Sequence, residues 1–152
     1  MVTIHHEDSA RNARIQGYKK ALGAAGIRVW ENWIATGQTD KHAGFSEEAG
    51  YEAMQALLKR DPHVEAVFES SDVQAIGACQ ALRHEGRKVP EDVAIVGYDD
   101  VKANRFIGLS GVSQHIVDIG RQATQLLLRR LWGPSQVVSR VVSPELIPRA
   151  SS

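Results

Sequence analysis

The sequence predicts an α/β protein with a parallel sheet between two layers of helices, and three observations carry that expectation. Short β-branched, apolar runs begin at Val2, Val29, Val64 and Val93, spaced 27, 35 and 29 residues apart, about what a strand–helix unit needs. The stretches between them place apolar residues at helical spacing. Each run then breaks into polar or acidic residues, most clearly in Val93-Ala94-Ile95-Val96-Gly97-Tyr98-Asp99-Asp100, the composition of a buried parallel strand ending in a polar rim.

In chain order, Val2-Thr3-Ile4 reads as a first strand that gives way to His5, His6, Glu7 and Asp8. Ser9 can cap a helix with Ala13, Gly17, Tyr18, Ala21, Leu22 and Ala25 on one face, and Gly26 ends it. Ile27 to Ala35 reads as a second strand, breaking into Thr36-Gly37-Gln38-Thr39-Asp40. Gly44 and Ser46 open a second helix carrying Ala49, Ala53, Met54, Leu57 and Leu58, which Asp61-Pro62 closes. Val64 to Phe68 is the third strand, followed by Glu69-Ser70-Ser71-Asp72 and a helix whose stripe is Ala75, Ile76, Cys79 and Leu82. After the fourth strand the rhythm is lost. Val101 to His115 has no helical periodicity and two glycines, which suggests a crossover or hinge. A helix from about Val117 to Trp132 and a β-like stretch from Ser135 to Ile147 complete the chain.

Composition narrows the function. At 152 residues the chain suits one domain. Eighteen basic and eighteen acidic residues cancel and no cationic run exists, so nothing here binds nucleic acid by charge. The single cysteine, Cys79, permits no internal disulfide and fits a reducing cytoplasm. No apolar run is long enough to span a bilayer, and no signal peptide is recognisable. No cofactor is expected. A nucleotide-phosphate cradle is missing, as is any nucleophile motif, so no catalytic residue is assigned.

The four strand ends would bring Glu7, Asp8, Gln38, Asp40, Ser71, Asp72, Asp99 and Asp100 to one rim, where open parallel sheets bind ligands. This inventory accepts hydrogen bonds, which suits a neutral, hydroxyl-rich molecule such as a sugar or nucleoside, with Arg14 as donor. Plainer roles compete: Asp72 can cap the following helix and Asp99 or Asp100 can begin a turn. The His5–Asp8 cluster reads as a solvated loop rather than a metal site, because neighbours on a strand face opposite ways. Trp30, Trp33 and Cys79 read as core residues.

Several segments together resemble the effector-binding core of the lactose-repressor/galactose-repressor family of bacterial transcription regulators, similar in fold to periplasmic sugar-binding proteins. They are Arg14-Ile15-Gln16-Gly17-Tyr18, Ala66 through Ala78, Val89-Pro90-Glu91-Asp92-Val93 through Asp100, and the terminal Leu146-Ile147-Pro148-Arg149-Ala150-Ser151-Ser152. The resemblance implies that Arg14, Ser71, Asp72, Asp99 and Gln114 contact the effector. Ser71-Asp72 stands where the family usually has Asn-Asp, and Gly108-Leu109-Ser110-Gly111 where it has Pro-Leu-Thr-Thr. Thr39 falls where some members place an aromatic that stacks on the sugar.

On this reading residues 1–152 form one effector-binding lobe, with βα units over 1–107, a crossover or hinge at 108–116, and a C-terminal helix and strands over 117–152. The family's helix-turn-helix headpiece and N-terminal lobe do not precede Met1, so the chain reads as a C-terminal piece that meets DNA only through a headpiece it lacks. The 117–132 helix, which the family packs against the other lobe, then needs a partner, and a homodimer is expected. Two alternatives belong to other classes: a secreted solute-binding protein, and a receiver-like phosphoacceptor holding Mg²⁺ on Asp99, Asp100 and Glu7.

Overall fold

The computed structural model describes residues 9–38, 45–133 and 138–152, with side chains from residue 12 onward. The expected first strand, the cap at Ser9, and Glu7, Asp8, Thr39 and Asp40 lie outside the described backbone or side chains. Helices α1 (Ser9–Ala24), α2 (Glu47–Arg60), α3 (Asp72–His84), α4 (Asn104–Ile107) and α5 (Ile116–Trp132) surround a sheet of β1 (Ala66–Phe68), β2 (Ala94–Asp99), β3 (Ser110–Ser113) and β4 (Glu145–Ile147). The strands lie in the order β1-β2-β3-β4. β1 and β2 run parallel, as the sequence predicts; β3, which it does not predict, is parallel to β2, and β4 is antiparallel to β3, pairing Val112 with Leu146.

Alternation along β2 organises the layers. Ile95 and Gly97 are buried while Ala94, Val96 and Tyr98 are partly open, so one face joins Val67, Met54, Leu57, Ala78 and Leu82 in the core. Helices α2 and α3 close that face. Ser46 caps α2 by accepting from the Ala49 N–H at 3.2 Å, and Glu47, Glu48, Lys59 and Arg60 complement the helix dipole. The two helices touch backbone to backbone. A Cβ on Gly50 would lie 2.1 Å from Gln74 O and one on Gly77 1.9 Å from Glu47 O, so only glycine allows this crossing.

Three expectations change. Ile27 to Ala35 is not a strand: a 3-10 turn, Glu31–Trp33, interrupts it, and only Ala35 makes a bridge. Trp33 and Ile34 donate back to Trp30 O and Glu31 O, closing the turn where polar residues break the apolar alternation. Trp30 is 47% exposed and lies under Arg28 rather than in the core. The 108–116 crossover contains β3, a strand of small residues whose Ser110 is buried because its N–H and Oγ bond Ser151 Oγ and the Arg149 N–H. Of the 135–147 stretch, Glu145–Ile147 is the only strand among its described residues.

Helix α5 departs most from an ordinary domain helix, since it contains no buried residue. Val117, Leu127, Leu131 and Trp132 are 81, 57, 68 and 80% exposed. No described helix is long and apolar enough to cross a membrane.

Candidate functional site

At the carboxyl ends of β1 and β2 an open cleft of about 600 Å³ separates the sheet from α1. Its α1 wall is Ala13, Arg14, Gly17, Tyr18 and Ala21, and the facing wall is Phe68, Tyr98 and Gln114. Part of the apolar face predicted for the first helix therefore lines a cleft, with Ala13, Gly17 and Ala21 exposed. Phe68 and Tyr98 sit on the sheet face opposite the core and meet edge to face, centroids 6.3 Å apart at 80°. Arg14 stacks on Tyr98, its guanidinium carbon 4.1 Å from the ring centroid, and donates to Ser70 O at 2.6 Å. Burial within the cleft raises the Tyr18 phenol above its ordinary pKa.

Asp99 ends β2 half-buried, and Gln114 Nε2 donates to its Oδ1. Burial raises the Asp99 pKa; Arg14 and the Gln114 hydrogen bond oppose that rise, while the Asp72 charge adds to it. The turn that follows is unusual. Asp99 and Asp100 have φ of 116° and 57°, two successive non-glycine residues in left-handed backbone.

Arg14, Asp99 and Gln114 thus come together, and of the other predicted residues the described ones, Gln38, Ser71, Asp72 and Asp100, do not join them. Ser71, 3% exposed, caps α3 by accepting from the Gln74 N–H. Asp72 is fully buried beneath the sheet, where Oδ2 accepts from the Val101 N–H at 2.8 Å. A Cβ on Gly97 would lie 2.4 Å from Asp72 Oδ1, so glycine in β2 makes room for this carboxylate. The cap is Ser71, not Asp72. Asp100 turns away to Arg149, its Oδ1 accepting from Nη2 at 2.6 Å, and Gln38 is placed at the surface, its N–H donating to Glu52. Among the described residues, no three His, Cys, Asp or Glu side chains are grouped to hold a metal ion.

A second hollow, about 670 Å³, lies at the amino ends of β2 and β3 and includes Cys79, Arg83, Arg87 and Lys88. It contains none of the predicted contacts. Its Arg87 is occupied with Pro62 O and Val64 O, and Cys79 has its thiol pushed up to about 11, by burial first and the Glu69 charge second.

The family model described as a periplasmic binding protein-like domain matches residues 1–152. The chain belongs to that family. This periplasmic binding protein-like domain is 38% identical over 144 residues to the transcriptional repressor PurR of Haemophilus influenzae, covering 91% of the chain and 41% of that protein. It is 40% identical over 142 residues to the repressor CytR of Escherichia coli, covering 91% and 40%. Among solved structures it superposes on a sugar-binding LacI-family regulator of Escherichia coli with a TM-score of 0.87 at 30% identity, covering 99% of this chain and 53% of that one. On a complex of the regulator CelR with cellobiose the TM-score is 0.86 at 37% identity, covering 99% and 46%. The domain spans about two fifths of the length of the curated relatives it matches. Residue-level reading missed Phe68 and Tyr98 as cleft residues, although their period-two offset from Val67, Ile95 and Gly97 already placed them off the core face.

Proposed function

We propose that this domain is the effector-sensing part of a LacI-type transcription regulator, with no catalysis of its own. The observation that supports it best is Arg14 on the ring of Tyr98, across a cleft from Gln114, which is bonded to Asp99. One cation, one carboxylate and one amide offer donors and acceptors beside two aromatic rings. That set suits a sugar or nucleoside, whose hydroxyls bond to Asp99 and Gln114 while its ring lies on the aromatic wall. Thr39 stays in the proposed contact set, whereas Ser71 and Asp72, buried as the α3 cap and as the acceptor of the Val101 N–H, leave it. In a full-length regulator in the cytoplasm, effector shifts the balance between two arrangements by its differential affinity, and DNA binding belongs to a separate headpiece.

The exposed apolar face of α5 is proposed to pack on a second copy of the chain. Calorimetric titration with a panel of sugars and nucleosides tests the sensing role. One member should bind, and Asp99→Ala should weaken it by about 2–5 kcal/mol, the loss expected when one partner of a buried charged hydrogen bond is removed. Binding unchanged in Asp99→Ala would reject the assignment.

A further inference from the structure

The Asp99–Asp100 turn is strained in a way that its own sequence does not relieve. Neither residue is glycine, yet both have positive φ, and such backbone persists only where surrounding groups over-determine it. Gln114 holds Asp99 and Asp72 holds the Val101 N–H that follows, and Asp100 itself is held by the far end of the chain. Arg149 donates through Nη2 to Asp100 Oδ1 at 2.6 Å and through Nη1 to Leu109 O at 2.7 Å, while its backbone N–H donates to Ser110 Oγ at 2.7 Å. The pair is well shielded, with Arg149 and Asp100 side chains 14% and 12% exposed. A guanidinium fixed at two nitrogens by partners on different segments has little freedom left.

The residues after Arg149 peg the same corner. The Ser151 N–H donates to Gly108 O at 3.0 Å, Ser151 Oγ donates to Ile95 O at 2.6 Å, and the Ile95 N–H donates to Ser151 O at 2.7 Å. The tail is therefore anchored to the start of β2 and to the approach to β3 before the Arg149 side chain reaches over to Asp100.

We propose that Arg149 is a positioning residue for Asp99: by gripping Asp100 it holds the left-handed turn that turns the Asp99 carboxylate toward Gln114 and the cleft. Arg149 is not among the residues lining that cleft and acts only through the backbone of the turn. This deepens the effector-binding reading, but its test needs no effector, so the two can fail separately.

The test follows the Gln114 side-chain amide protons and the Asp99 carboxyl carbon by NMR in the labelled full chain. Wild type should show a shifted, slowly exchanging Gln114 amide and a single Asp99 titration. In Arg149→Met the Gln114 amide should move to the position of a free side chain and the Asp99 titration should shift toward that of an ordinary aspartate. The double variant Asp100→Gly with Arg149→Met has the wild-type net charge, and glycine takes positive φ without help, so both signals should return. Retention of the signature in Arg149→Met, or no recovery in the folded double variant, overturns the proposal. If Arg149→Met does not fold, Asp100→Gly alone decides: it must keep the signature, and losing it overturns the proposal.

Discussion

At the residue scale, the least expected group is Glu69. It follows β1 on the core side, is fully buried, and neither carboxylate oxygen has a hydrogen-bond partner among the described residues. Burial raises its pKa from 4.5 to about 8, so the native state holds a proton there that the unfolded chain releases. Its contribution to stability is fully present below about pH 4.5 and is lost as pH rises through about 8. Glu69→Gln keeps the shape and cannot ionise. Near pH 4 the variant should differ from wild type only by the cost of an amide in place of the buried carboxylic acid, and between pH 4 and pH 9 it should gain on wild type by about 4–5 kcal/mol. Denaturant unfolding at the two pH values measures this, and an equal pH dependence of both proteins would contradict it. Sequence reading placed Glu69 in a polar strand end, because four polar residues in a row look like solvent-facing loop. Its burial, near enough to Cys79 of α3 for the two groups to interact, is decided by tertiary packing.

At the element scale, apolar spacing was enough to locate α2 and α3; the cap of α2 was legible at Ser46, whereas α3 is capped by Ser71 where the sequence offered Asp72. Their separation was not legible, since it depends on Gly50 and Gly77 meeting the backbone of the opposite helix. Gly77→Ala puts a methyl where Glu47 O now lies, so the helices must move apart. The expected cost is about 1–3 kcal/mol or more, read as a lower denaturation midpoint with unchanged slope. Stability within about 0.5 kcal/mol of wild type would show that the crossing yields easily. Strand β3 was hidden for the opposite reason. Ser110-Gly111-Val112-Ser113 lacks an apolar run, and its burial is supported by hydrogen bonds from the C-terminal tail.

At the scale of the whole molecule, α5 sets the expectation. Burying several of its leucine, valine and tryptophan side chains would contribute about 1.5–3 kcal/mol each, and a contiguous apolar face of this kind marks an interaction surface. Light scattering of the chain should give a mass that rises with concentration toward that of two copies. Leu127→Glu combined with Leu131→Glu, one turn apart on the same face, should hold it at one. A wild-type chain that stays monomeric at high concentration would remove the self-association proposal and leave the sensing role untouched.

By itself the sequence determined the α/β class, the parallel pairing of the strands at Val64 and Val93, the positions of the main helices and the placing of Asp99 at a strand end with Arg14 as donor, while Gln114 came only from the family resemblance. These depend on local periodicity, on caps, and on the rule that parallel strands end at a common edge. The tertiary structure alone decided that Asp72 and Ser71 lie beneath the floor, that Phe68 and Tyr98 form a cleft wall, and that Arg149 holds Asp100. Each of those outcomes depends on which distant segment packs against a residue. Burial and partner choice are properties of the assembled layers, and no short window of residues contains them.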